Sequence, residues 1–264
     1  MADQVQTPQM AQAAPAMGTD GRDLDPAAIA LEIKDLYVGY YKDLNILQGI
    51  NLKAQRANIT TVLGANGVGK STMFKAIYGF LKPNKGRVLL GGQNVTGVPT
   101  YKLIELGLAY IPQHPGIFRW MTIEENLEMG AYTFKNDKAR IQRKMEEIYA
   151  RFPMLKERRK SLAGKLSGGQ QRMIEVGRTL MTDPEVMLVD EPTAGLAKLL
   201  SEEVYQMLIG LRDSGITILL VDQEIRQALK IADYVYVLEL GRNKYEGAVD
   251  QFTSPADIKK AFWA

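Results

Sequence analysis

The sequence predicts an α/β fold around a phosphate-loop NTPase core, and three observations carry the prediction. The strand-like run Ile59-Thr60-Thr61-Val62-Leu63 enters the glycine-rich stretch Gly64-Ala-Asn-Gly-Val-Gly-Lys-Ser-Thr72. The apolar run Val186-Met187-Leu188-Val189 ends in Asp190-Glu191, as a strand covered on both faces would. Between them, residues 119–182 read as largely helical. With 264 residues and 46% hydrophobic content, the chain can bury a sizeable core as one α/β domain with a helical insertion.

Taken in order, residues 1 to about 27 are rich in Ala, Gln, Met, Pro and Asp without periodicity, which predicts a disordered tail lacking the features of a secretion signal. Strands are expected near 30–36, 46–53 and 59–63, then a helix over 70–81 and a strand near 87–90. Ile141, Met145, Ile148 and Phe152 recur at helical spacing, the signature of a packed face. Ser167 before Gly168 and Gly169, followed by a helix-friendly run to Met181, predicts an N-capped helix with exposed amides. The apolar run 216–221 predicts a strand leading into Asp222-Gln223-Glu224. Beyond Val237 a closing strand and turn precede a short C-terminal helix ending in Phe262-Trp263.

A strand, a glycine loop and a helix N-terminus together form an anion site. Gly64, Gly67 and Gly69 allow close backbone approach, so successive N–H groups can point at phosphate oxygens, reinforced by the helix dipole. Lys70 is placed to reach the β and γ phosphates, and the Ser71 hydroxyl to coordinate Mg²⁺; Asn66, Gly67, Gly69, Lys70, Ser71 and Thr72 are the candidate nucleotide-binding set. Asp190 would hold Mg²⁺ through water or through the Ser71 shell, while Glu191 would polarise the attacking water.

Composition narrows the alternatives. No cysteine is present, which excludes disulfides and thiolate metal sites, and the single histidine, His114, excludes a multi-histidine site and reads as a loop residue. The formal net charge of +3 is small, and the basic cluster Lys156-Glu157-Arg158-Arg159-Lys160 reads as a solvated helix end, so no nucleic-acid partner is expected. No apolar run approaches the roughly twenty residues that span a bilayer.

The phosphate loop, Leu166-Ser-Gly-Gly-Gln-Gln-Arg172 and Asp190-Glu191-Pro192-Thr193, in this order and spacing, resemble the ATP-binding subunit of an ABC transporter over roughly residues 30–264. The resemblance implies a phosphate-loop core of ABC ATPase type, with an antiparallel β subdomain and a helical subdomain inserted at about 119–182. It implies that Ser167, Gly168 and Gly169 grip the γ phosphate held by a second ATPase subunit, identical or different. It further implies that Tyr41 stacks on adenine, with Tyr40 as a substitute, and that Gln113 contacts Mg²⁺ or the attacking water. Gln223 stands where many members place a histidine; its amide can donate to a phosphate oxygen but carries no charge near neutral pH. The loop Gly195-Leu196-Ala197-Lys198 lacks the family's usual aspartate.

Within the family, Gln223, Gly195-Leu196-Ala197 and Glu124-Glu125-Asn126-Leu127 resemble the LivF-type ATPase of branched-chain or hydrophobic amino acid uptake, although Lys198 replaces a frequent proline and Gln113 a frequent glutamate. That resemblance implies ATP and Mg²⁺ as cofactors and a peripheral place on the cytoplasmic face of the inner membrane. It also implies membrane permease subunits and, indirectly, an extracytoplasmic solute-binding protein as partners. The permease groove is expected between Gln113 and about Tyr132, with Phe118, Trp120 and Met121 as apolar candidates. Urea or amides as the solute, and a non-hydrolytic nucleotide-sensing subunit, remain the alternatives.

Overall fold

The computed structural model describes residues 25–41 and 44–252. Most of the expected tail, residues 1–24, and the expected helix ending in Phe262-Trp263 fall outside this range. The described chain opens on a single 3-10 turn, Pro26–Ala28, capped by the Asp25 side chain, which accepts from the Ala27 N–H at 2.9 Å.

Two sheets organise the fold. Strands β1 (Ile29–Val38), β2 (Leu47–Gln55), β4 (Lys85–Leu90) and the short β5 (Gln93–Asn94) form an antiparallel sheet in the order β2-β1-β4-β5. The second sheet runs β10-β9-β3-β8-β7-β6, from β3 (Ile59–Leu63), β6 (Leu108–Ile111), β7 (Val186–Asp190), β8 (Thr217–Val221), β9 (Tyr234–Glu239) and β10 (Arg242–Ala248). Its five strands from β9 to β6 are mutually parallel, and β10 closes the edge as an antiparallel hairpin partner of β9. Every residue of β3, β7 and β8 is buried, because core packs on both faces. Val62, Leu188, Leu219 and Val221 pack with β1, β2 and helix α1 (Lys70–Ile77), whereas Ile59, Met187, Val189 and Leu220 pack with the helices that follow β6.

Helix α1 is shorter than the expected 70–81. It stops at Ile77 because Gly79 takes φ +78°, and the N–H groups of Phe80 and Leu81 turn back to the Lys75 carbonyl at 2.8 and 3.0 Å. After α2 (Thr100–Glu105) and β6, the stretch expected to be helical holds α3 (Ile123–Met129), α4 (Lys138–Arg151), α5 (Pro153–Glu157) and α6 (Gly168–Leu180). Thr122 and Glu125 cap α3 reciprocally, at 3.2 Å and 2.6 Å. Met145, Ile148 and Phe152 are buried as their spacing predicts, and Ile141 is half-buried against them. Helix α6 begins at Gly168 with Ser167 as its N-cap, as expected. Helices α7 (Lys198–Asp213) and α8 (Ile225–Ile231) complete the layer.

The strand order places four loops side by side. Neighbours β3, β8, β7 and β6 are parallel, so the segments after Leu63, Val221, Asp190 and Ile111 all leave the same edge. Ligands in open parallel sheets bind beyond this carboxyl edge.

The helices α3 and α6 meet closely: a methyl at Gly177 would stand 2.9 Å from Leu127 Cδ2 and 3.1 Å from Ile148 Cγ2. Leu127 is fully buried at that crossing, so Leu127→Ala is expected to cost about 2–5 kcal/mol of unfolding free energy, read by urea denaturation. A loss below about 1 kcal/mol would mean that the crossing is loosely packed.

Candidate functional site

The loop between β3 and α1 has the backbone that its glycines predict. Gly67 takes φ +80° with nothing within 4 Å of a Cβ position, and Gly69 takes φ +108° where a Cβ would stand 2.5 Å from Leu47 Cδ2. The first is open to a ligand; the second is a packing requirement. Lys70 is only 4% exposed, and its Nζ donates to the carbonyls of Gly64 and Ala65 at 2.7 and 3.1 Å. Burial lowers its pKa, opposed by the carboxylates of Glu191, Asp190 and Asp222. A cavity of about 630 Å³ adjoins the loop, lined by Asn66, Gly67, Val68, Ile46, Leu240 and Lys244 among others.

Ser71 and Asp190 meet across the sheet edge, with the Ser71 hydroxyl donating to Asp190 Oδ1 at 3.4 Å and Tyr110 donating to Oδ2 at 3.2 Å. Burial raises the Asp190 carboxyl, opposed by the hydrogen bonds from Ser71 and Tyr110. A hydroxyl beside a carboxylate suits a hard cation such as Mg²⁺, which takes few protein ligands and completes its shell with phosphate and water.

Glu191 is 7% exposed and takes φ +42°, a left-handed conformation rarely adopted outside glycine, while its N–H donates to the Val221 carbonyl at 2.8 Å. Its Oε2 accepts from Gln113 Nε2 at 2.6 Å and also from Gln223 Nε2. Gln113, expected to contact Mg²⁺ or the attacking water, thus bonds to the carboxylate expected to polarise that water.

Ser167 caps α6 as predicted: its Oγ accepts from the Gln170 N–H at 3.3 Å, and Gln170 Oε1 accepts from the Ser167 N–H at 3.2 Å. Both following glycines also have a packing reason, since a Cβ at Gly168 would stand 2.7 Å from Leu196 Cδ2 and one at Gly169 3.2 Å from Leu200 Cδ2. Among the described residues no hydrogen bond links Ser167, Gly168 or Gly169 to residues 64–72. Tyr41 sits in the loop before β2, bridged to Leu44 and 75% exposed; Tyr40 is also exposed.

Sequence reasoning missed a buried ion pair on α6. Arg172 Nη1 reaches Glu175 Oε2 at 2.6 Å, and the guanidinium also donates to the carbonyls of Pro112 and Gln113, each at 2.7 Å. Glu175 Oε1 accepts from the Gly116 N–H at 2.7 Å. Burial raises the Glu175 carboxyl and lowers the Arg172 pKa, and each side chain opposes the shift in the other. The available signal was a fixed Arg-x-x-Glu spacing on one helix face; its partner in the Gln113 loop is visible only after folding.

Residues 47–194 match the family described as ABC transporter. The chain belongs to the ABC transporter family. It is similar to the high-affinity branched-chain amino acid transport ATP-binding protein BraG of Pseudomonas aeruginosa, 38% identical over 77% of this chain and 86% of that protein. It is also 36% identical to the probable branched-chain amino acid transport ATP-binding protein LivF of Archaeoglobus fulgidus, over 83% of this chain and 93% of that one. The lipopolysaccharide export system ATP-binding protein LptB of Haemophilus influenzae is 28% identical over 84% of this chain and 92% of its own. Among solved structures, cbiO1 of Clostridium perfringens, part of the ABC transporter complex cbiONQ, superposes with a TM-score of 0.80 at 27% identity, covering 88% of this chain and 94% of that one.

The chain is thus an ATP-binding, ATP-hydrolysing ABC subunit, and the predicted α/β phosphate-loop fold and LivF-type resemblance hold. In this ABC ATPase the acidic edge of the sheet carries a stability cost. Because burial raises the Asp190 carboxyl, the folded chain binds that proton more readily than the unfolded chain. The stability this contributes is present at acid pH and lost as pH rises above the ordinary carboxylate range through the folded value. At neutral pH the ionised group is a cost. Asp190→Asn is therefore expected to raise the thermal midpoint of the nucleotide-free chain while weakening Mg²⁺-dependent nucleotide binding; a lowered midpoint would contradict the assignment.

Proposed function

We propose that this ABC subunit powers uptake of a small solute, branched-chain or other hydrophobic amino acids, across the cytoplasmic membrane, with Glu191 as the carboxylate that polarises the attacking water. The observation that carries the hydrolytic part is the Glu191 side chain, buried at the sheet edge and held by two amides beside the Asp190 and Ser71 pair. An intact carboxylate here is what a nucleotide-sensing subunit would not need to retain. The amino acid part is supported by likeness to BraG and LivF.

The geometry supports a role for each residue of the site. Asn66 and Gly67 leave the loop open to phosphate, Gly69 packs it against Leu47, and Lys70, which bonds the loop's carbonyls, would turn to the β and γ phosphate oxygens. Thr72 continues α1 beside Ser71 as a further member of the nucleotide-binding set. Ser71 and Asp190 would hold Mg²⁺, which supplies charge neutralisation on the phosphates when bound. Gln113 and Gln223 fix the Glu191 carboxylate, and the exposed Tyr41 ring offers a face to adenine.

Among the described residues the cap formed by Ser167, Gly168 and Gly169 makes no hydrogen bond to the phosphate loop of its own chain, which is compatible with a composite site closed by a second ATPase, the same or a different polypeptide. Docking onto permease subunits is supported at the edge of the helical layer: Trp120 is 91% exposed, and Phe118, Met129 and Tyr132 are exposed nearby in sequence. Among the described residues no helix is long and apolar enough to cross a membrane, so membrane association at the cytoplasmic face would come through those partners. An extracytoplasmic binding protein would act indirectly, by delivering solute to the permease.

The test uses the chain assembled with its permease subunits in proteoliposomes supplied with the binding protein. Glu191→Gln is expected to lower ATP turnover by about 10²-fold or more while ATP still binds. ATP-dependent accumulation of labelled leucine should vanish with it. Transport of urea or an amide instead of leucine would overturn the solute assignment, and undiminished turnover in Glu191→Gln would overturn the catalytic one.

A further inference from the structure

Three buried side chains from three separate elements meet behind Glu191. Thr193 lies in the loop after β7, Tyr205 on α7 and Asp222 just after β8, each less than a tenth exposed. Tyr205 donates to Asp222 Oδ2 at 2.9 Å, and the Tyr205 and Thr193 hydroxyls are 3.2 Å apart. A phenol has a single hydrogen; with that hydrogen on Asp222, Thr193 must be the donor to the Tyr205 oxygen. Asp222 Oδ1 in turn accepts from the N–H groups of Gln223 and Glu224 at 2.7 and 3.0 Å.

The bonds converge on Asp222. From the loop that carries Glu191 they reach it through Thr193 and Tyr205, and from the other side it accepts from the backbone N–H of Gln223, whose side-chain amide donates to Glu191. A cavity of about 730 Å³ is lined by Gln113, Glu191, Thr193, Tyr205, Asp222 and Gln223, so these bonds form part of a wall shared with Glu191. Burial raises the Tyr205 pKa, followed by the charge of Asp222, which keeps the phenol a donor through the physiological range. A phenylalanine would fill the same volume without burying a hydroxyl, so what the hydroxyl adds is geometry rather than packing.

We propose that Tyr205 is a positioning residue for ATP hydrolysis: its hydroxyl locks the Glu191 loop to the Gln223 loop and so sets how the Gln223 amide meets the Glu191 carboxylate. The inference rests on Glu191 being the hydrolytic carboxylate. It assigns no contact with nucleotide to Tyr205 itself.

The experiment measures kcat, KM for ATP and thermal midpoint for the full-length chain assembled with its permease subunits. The variants are Tyr205→Phe, Thr193→Val, Gln223→Ala, the Tyr205→Phe/Gln223→Ala pair and Glu191→Gln. Tyr205→Phe is expected to lower kcat about tenfold, with KM within about twofold, since misplacement of a reacting group is felt in turnover rather than in ground-state binding. Because Tyr205 acts through Gln223, the double variant should be no slower than the slower single one. Thr193→Val opens the same chain at its other end and is expected to lower kcat in the same direction, which keeps the test readable if Tyr205→Phe does not fold. Wild-type kcat in Tyr205→Phe, or losses that multiply in the double variant, would overturn the proposal. An inactive Glu191→Gln beside a fully active Tyr205→Phe removes this inference alone; an active Glu191→Gln removes the hydrolytic assignment together with it.

Discussion

One lysine and three carboxylates, Lys70, Asp190, Glu191 and Asp222, are all more than nine-tenths buried at the carboxyl edge of the parallel sheet. Taking four charges out of water is expensive, and one cation does not neutralise three anions. The remainder of the site reads as a response to that constraint. Two amides bond Glu191, two hydroxyls bond Asp190, and a phenol with two backbone N–H groups bonds Asp222. Lys70 turns onto the carbonyls of its own loop. The excess negative charge suits a site whose working partner includes a divalent cation, because that cation relieves what burial imposes.

The same edge is tied to the helical layer by a second buried charge pair. Arg172 and Glu175 are 3% and 1% exposed, and between them they bond to Pro112, Gln113 and Gly116. Removing either partner would strand the other in a medium that cannot solvate it, so α6 and the Gln113 loop are held as one piece. Arg178, one turn further along α6, stacks 5.4 Å from the centre of the Phe118 ring, which extends the connection toward the exposed Trp120 region. The helix that starts at the Ser167 cap is thus bonded through Arg172 to the loop whose Gln113 amide bonds Glu191.

Much of this was legible in the chain as a linear text. The phosphate loop, the acidic pair and the Ser167 cap are contiguous chemistries: the glycines, the lysine and the cap lie within a few residues of the backbone groups they serve. The helical face of Met145, Ile148 and Phe152 was legible because periodicity is local. The end of α1 was not, because Gly79 terminates it before the apolar pattern runs out. The glycines of the Ser167 cap have a packing role against Leu196 and Leu200 that no local pattern announces, and Gly169 is buried.

The sequence by itself determined the fold class, the nucleotide-binding loop and the identity of the hydrolytic carboxylate candidate, since each rests on residues adjacent along the chain. Only the tertiary structure decided what holds that carboxylate. Gln113 and Gln223 reach Glu191 from 78 and 32 residues away, and Arg172 reaches the Gln113 carbonyl across 59. The physical reason is the strand order: β3, β8, β7 and β6 are neighbours in space but not in sequence. Loops that emerge from neighbouring parallel strands share one edge, and which side chains complete one another's hydrogen bonds is settled there.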